Sequence, residues 1–97
     1  MTTQRPNATP TVQLDNDRVI VTRWDFPPGG ETGWHRHEYD YVVVPMSDGV
    51  LNLETPEGLK EAILSAGVSY TRSAGTEHNV INGGEEAFAF VEIELKA

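Results

Sequence analysis

All three histidines of this 97-residue chain lie in two short strings, Gly29-Gly-Glu-Thr-Gly-Trp-His35-Arg-His37 and Gly75-Thr-Glu-His78-Asn79-Val-Ile-Asn82. No cysteine accompanies them, so thiolate ligands and disulfides are excluded. His35 and His37 stand two apart, a spacing that puts both side chains on one face of an extended strand. His78 follows about forty residues later, and a chain that folds back on itself brings the three rings to one point. Neutral imidazole suits Zn, Cu, Fe and Ni. Three protein ligands with open positions make a catalytic style of site, whereas four closing ligands make a structural one. His35, His37 and His78 are therefore candidate ligands of a single divalent transition metal ion (Fe, Mn, Ni, Zn or Cu).

The elements that must position these residues are short and β-rich. From Thr11 onward, turn sequences such as Pro28-Gly29-Gly30, Ser47-Asp48-Gly49, Pro56-Glu57-Gly58, Ala74-Gly75 and Gly83-Gly84 punctuate the chain. Between them, Val12/Leu14, Ile20/Thr22/Trp24/Phe26, Leu51/Leu53 and Val68/Tyr70 alternate with polar neighbours, the period of half-buried strands. Tyr41-Val42-Val43-Val44 is a continuous run that suits a strand covered on both faces. Leu59 to Ser65 has helix-friendly composition but is too short for an independent helix, and it is assigned as strand. The last strand, Ala87 to Leu95, switches phase: Phe88 and Phe90 share one face, and Val91, Ile93 and Leu95 the other. Either a bulge near Phe90 reconciles them, or both faces are buried, one in the core and one against a second copy. Many short strands at even spacing predict an all-β, antiparallel sandwich or small barrel. Residues 1–10 are polar with two prolines and read as a loose or docking N-terminal arm, with one domain over 11–97.

The net charge of −8 lacks the basic surplus that nucleic-acid binding needs and disfavours an anionic membrane surface. No leader or long apolar run is visible, so a cytoplasmic location is expected. So short a chain has little core to spare, and a homodimer would bury more.

In these strings the chain resembles the cupin superfamily of small jelly-roll β-barrels. The family's first motif, G(X)5HXH(X)3–4E(X)6G, is met by Gly29, His35 and His37. Its second, G(X)5PXG(X)2H(X)3N, is met in every spacing by Gly67, Gly75, His78 and Asn82, with Ser73 in place of the proline. Within the superfamily, the stretch from Gly33 to Val44 is similar to the small cupins labelled β-alanine-degradation proteins. The resemblance implies an antiparallel jelly-roll barrel, metal ligation by the three histidines, and a small-molecule ligand or substrate. Some family members have lost the metal, and there the same residues line the barrel mouth without an ion.

One departure stands out. The family's glutamate ligand falls four or five residues after His37, where this chain has Tyr41 and Val42. Asp40 and Tyr41 are the candidates for a fourth ligand. Asp40 has the opposite strand parity to the histidines, and Tyr41 the same parity. Tyr41 could instead hydrogen-bond or shuttle a proton in the pocket. Glu38 reads as solvated loop charge. Arg72 alternates with Tyr70, and an inward guanidinium there could pair with a substrate carboxylate, against a plain surface reading. The expected function is a mononuclear metal-binding cupin acting on a small carboxylated metabolite, as an oxygenase, isomerase or lyase with Tyr41 and Arg72 as candidate catalytic groups. The alternatives are a ligand-binding or sensing cupin without turnover and a metal-free cupin that mainly dimerises.

Overall fold

A computed structural model describes residues 4–96. Nine strands follow one another: β1 (Thr9–Asp15), β2 (Val19–Phe26), β3 (His35–Arg36), β4 (Asp40–Pro45), β5 (Gly49–Thr55), β6 (Gly58–Leu64), β7 (Tyr70–Arg72), β8 (Glu77–Asn82) and β9 (Phe88–Leu95). They form two sheets, ordered β1-β2-β9-β4-β7 and β3-β8-β5-β6, and every pairing between these strands is antiparallel. There is no helix among the described residues, so none is long and apolar enough to cross a membrane. Leu59 to Leu64 is strand, as expected, because it pairs along its whole length with β5.

The core lies between the sheets. Phe26, Tyr41, Val43, Phe88 and Phe90 from the five-stranded sheet meet Leu51, Leu64 and Val80 from the other strands in one cluster. Alternation explains the choice: on β2 and β9, Phe26 faces Phe88 and Trp24 faces Phe90 across the ladder. The Phe26 ring sits 5.3 Å from Phe90 and 6.3 Å from Phe88, centroid to centroid, in tilted contacts. Gly49 must be glycine here, since a Cβ would come within 2.6 Å of the Phe88 ring.

Three expectations need correction. No bulge interrupts β9, whose register is continuous against both β2 and β4. The bulge lies in β1, between Val12 and Leu14. The phase change in β9 instead reflects an inner face that turns from Phe88 and Phe90 to buried Glu92 and half-buried Glu94. Within one chain the β4 run is covered on its inner face only: Tyr41 and Val43 are buried, whereas Val42 and Val44 are half-exposed on the outer face. Val68 lies outside β7 and is exposed, in a turn closed by its amide on the Ser65 carbonyl at 3.1 Å.

Of the N-terminal ten residues, 1–3 lie outside the described part. Beyond them, Ala8 is buried, its amide donates to the Glu31 carbonyl at 2.8 Å, and Thr9 and Pro10 already pair with β2. Replacing Phe26 by alanine removes the hub of the aromatic cluster. The expected cost is about 3–5 kcal/mol in chemical denaturation. A loss under about 1 kcal/mol would show that the cluster does not carry the core.

Candidate metal centre

The short β3 places the site. His35 pairs directly with His78 across the β3–β8 ladder, and His37 follows on the same face of its chain as His35. Backbone bonds pin the end of that segment. The His37 amide donates to the Thr76 carbonyl at 2.9 Å, and the Gly75 amide donates to the His37 carbonyl at 2.8 Å. Gly75 turns there with φ of 89°, a conformation that a side chain resists. The turn is fixed further by Asp40, whose carboxylate accepts the Ala74 amide at 2.8 Å. Asn82 ties the opposite end of β8, donating to the carbonyls of Pro27 and Glu86 and accepting from Gly84.

The three rings converge edge to edge through their Nε2 atoms. His35 Nε2 lies 3.0 Å from His37 Nε2, which lies 3.2 Å from His78 Nε2. The His35 Nδ1 is 2.8 Å from the Gly33 carbonyl, to which it donates its hydrogen. His35 Nε2 is then a bare lone pair. His37 Nε2 can carry at most one hydrogen, yet it faces two nitrogens. A hydrogen on His37 Nε2 would have to be shared between two acceptors, a poor arrangement that a cation taking all three lone pairs replaces. The spacing suits a cation too: two nitrogens, each ~2.1 Å from one ion and meeting it at a right angle, stand ~3.0 Å apart. The donor set therefore fits a divalent transition metal, and His35, His37 and His78 are the residues that could hold it.

The electrostatics agree. His37 and His78 are buried, and burial first, then the neighbouring imidazoles or Arg72, lowers both pKa values to about 4. Both rings are neutral at neutral pH, the form a metal requires.

Tyr41 joins the histidines and Asp40 does not. The Tyr41 ring stacks on His37 at 3.9 Å between centroids and 22° between planes. It is 2% exposed, and its hydroxyl is buried without a hydrogen-bond partner. Burial and then the Glu92 carboxylate push its pKa well above the ordinary phenol range, so it stands as a neutral phenol. Asp40 is exposed on the other face, committed to the Ala74 amide, which removes it as a fourth ligand. Arg72 pairs with Tyr41 across the β4–β7 ladder and stands at the rim. Its guanidinium donates to the Thr71 carbonyl at 2.8 Å and lies 4.7 Å above the Tyr70 ring. A small cavity of about 30 Å³ is walled by Tyr41, Arg72, His78 and Glu92 among apolar side chains, room for about one water. Glu38 is exposed at the edge of an open groove that His35, His37, Trp24, Glu92 and Glu94 also line.

Sequence reasoning missed Glu92 and Glu94. Their ligand atoms come within reach of His37, although they do not form one set with the other two histidines. Glu94 stands directly opposite Tyr41 across the β4–β9 ladder. Glu92 is buried, and burial followed by Glu94 raises its pKa to about 7. The available signal was parity: Glu92 and Glu94 share the even positions of Phe88 and Phe90, hence the inner face.

With this geometry, comparison with known proteins is decisive. The cupin domain model matches residues 22–94. The chain belongs to the cupin family. It is 62% identical to the β-alanine degradation protein BauB of Pseudomonas aeruginosa over 92 residues, covering 95% of this chain and 97% of that protein. A crystal structure of a cupin domain from Bordetella pertussis Tohama I superposes with a TM-score of 0.97 at 66% identity, covering 99% of this chain and all of that one. The polyketide cyclase RemF of Streptomyces resistomycificus shares the fold with a TM-score of 0.73 at 20% identity, covering 98% of this chain and 71% of its own.

The pKa shifts predict how the metal-free cupin responds to acid. His37 and His78 have depressed folded-state values, so their contribution is fully present above about pH 6.5 and lost as pH falls toward about 4. Glu92 has a raised value and acts oppositely, its contribution being lost as pH rises from about 4.5 through about 7. Two groups outweigh one, so the metal-free protein should melt lower at pH 5 than at pH 6.5. Glu92→Gln should widen that gap, and a His37→Gln/His78→Gln double variant should narrow it. Thermal melts across this range that leave the gap unchanged in both variants would contradict the assignment.

Proposed function

We propose that this cupin is a mononuclear metal-binding protein that acts on a small carboxylated metabolite in the cytoplasm. The observation that carries the reading is the meeting of three histidine Nε2 atoms at a spacing that suits one shared cation. When bound, the ion would supply Lewis acidity or a place for oxygen, as an oxygenase, isomerase or lyase requires. The name of the Pseudomonas relative places that protein in β-alanine degradation, and we carry the same small-acid metabolism to this chain.

The chain's own residues have separable tasks in this reading. His35, His37 and His78 hold the ion, and burial keeps His37 and His78 deprotonated. Tyr41, in the place of the family's glutamate, offers a neutral hydroxyl with no other partner. It can donate a hydrogen bond to a ligand oxygen at the cavity. Arg72 stands at the rim, where leaving the Thr71 carbonyl would free it to pair with a carboxylate. The apolar walls, Val43, Leu51, Leu53 and Phe90, keep bulk water away.

The outer face of the five-stranded sheet supports a homodimer. Val21, Ile93 and Val42 form one cross-strand row, and Val91 and Val44 continue it in the next. These five are half-buried, aliphatic and uncharged on a chain of net charge −8, and Arg23, beside Val91 in the second row, is ion-paired with Asp25. A second copy of this chain offers the same neutral patch without the repulsion that the rest of the surface would exert. Nucleic acid and membrane are not partners in this reading.

The absence of a carboxylate on β4 beside the histidines favours one second reading, a cupin that binds its ligand without turning it over. Metal analysis of tag-free protein tests the primary one. About one ion per chain in the wild type, lost in His78→Ala, is expected. Protein that refuses Fe, Mn, Ni, Cu and Zn would end it and leave a metal-free, dimerising cupin. Tyr41→Phe should keep the metal and weaken ligand binding or turnover by about tenfold, the worth of one buried hydrogen bond. Binding of small acids that persists in metal-free protein, with no product from the metal-loaded form, would select the non-catalytic reading. Sedimentation should find a dimer at micromolar concentration, dissociated by Ile93→Glu, and a wild-type monomer would remove the dimer.

A further inference from the structure

We infer that Asn79, a buried side chain outside the histidine set, is a positioning residue that sets the tautomer and aim of His35. The inference concerns the metal centre proposed above and rests on that reading for its functional meaning. Asn79 is 5% exposed and uses its amide group on three sides. Its Oδ1 accepts the Gly33 amide at 2.9 Å. Its Nδ2 donates one hydrogen to Glu31 Oε1 at 2.7 Å and the other to Glu54 Oε1 at 2.8 Å. Two carboxylates therefore fix which way round the amide lies, because neither can donate to an amide oxygen when ionised. Arg5 closes the cluster from outside, 3.2 Å from Glu31 and 3.8 Å from Glu54.

The consequence travels through one residue. Gly33 turns with φ of 88°, and hydrogen bonds fix both its amide and its carbonyl. Asn79 holds its amide, and its carbonyl then accepts His35 Nδ1–H at 2.8 Å. Thr32 braces the same carbonyl, donating to it at 2.9 Å while accepting the Val80 amide at 3.2 Å. With Nδ1 bearing the hydrogen, His35 must present a bare Nε2 toward His37 and His78. The chain thus reaches from Arg5, through Glu31, Asn79 and Gly33, to a lone pair at the centre. Outer partners of this kind orient a ligand imidazole and raise its basicity. Asn79 is next to His78 in sequence but points to the opposite face of β8, so one strand supplies both a candidate ligand and the support of another.

Nitrogen-15 NMR of the metal-free protein and zinc titration calorimetry test this together. In the wild type, His35 should show a single Nδ1–H tautomer. In Asn79→Ala it should become a mixture of tautomers, and Zn2+ affinity should fall by about 10–100-fold. Asn79→Asp keeps an acceptor for the Gly33 amide but sets a third carboxylate beside Glu31 and Glu54. It should lower the melting temperature while keeping the Nδ1–H tautomer, which separates positioning from stability. An unchanged tautomer and unchanged Zn2+ affinity in folded Asn79→Ala would overturn the inference. If that variant does not fold, the wild type still decides: a His35 that carries its hydrogen on Nε2 overturns it. Failure of the wild type to bind Zn2+ would count against the metal reading, while the tautomer measurement would still judge the relay.

Discussion

The His37 Nε2 atom lies 3.0 Å from that of His35 and 3.2 Å from that of His78, so one buried imidazole nitrogen faces two others. His35 spends its hydrogen on the Gly33 carbonyl, and burial keeps His37 and His78 neutral. What remains is a patch of lone-pair density that at most one shared His37 hydrogen can bridge. Such an arrangement costs stability in the metal-free protein. Much of the surrounding architecture can be understood as the means of enforcing it. β3 is only two residues long, yet it pairs His35 with His78. The Gly75 turn, braced by Asp40, holds His37 in place.

The same constraint divides the inner surface of the five-stranded sheet. Toward Phe26, Phe88 and Phe90 it is a dry aromatic core. Toward Tyr41, Glu92 and Glu94 it is polar and carries the shifted titrations. The two halves lie along the same strands, so the rigidity of the core is passed directly to the site. Groups raised on strands are held more tightly than groups on loops. The exception is the Gly29–Gly33 stretch, which is irregular and is tied to β8 by the Asn79 side chain and by backbone bonds.

The sequence made some of this legible and hid the rest for physical reasons. Strand parity and motif spacing sufficed for His35, His37 and His78, because both are local properties. Parity also predicted that Tyr41, rather than Asp40, would share their face. A bulge in β9 is one of two readings of Phe90 followed by Val91 and Ile93, which look like a slipped register, and the continuous pairing leaves the other, burial of both faces. A carboxylate on an inner face is rare, and nothing in the motif spacing drew attention to Glu92 and Glu94. Val68 and Tyr70 have strand composition, but the turn that brings Gly67 onto the Pro45 carbonyl takes Val68 out of the sheet. Asn79 could not be found from spacing at all, since its partners Glu31, Gly33 and Glu54 come from distant segments.

The central claim is that the three Nε2 atoms share one ion. Anomalous scattering from crystals of tag-free protein tests it most directly, because it reports the element, its position and its neighbours at once. A single peak ~2.0–2.3 Å from the Nε2 atoms of His35, His37 and His78 is the predicted result. A map with no peak there after soaking in Fe, Mn, Ni, Cu and Zn, or with its peak between Glu92 and Glu94 instead, would contradict the account.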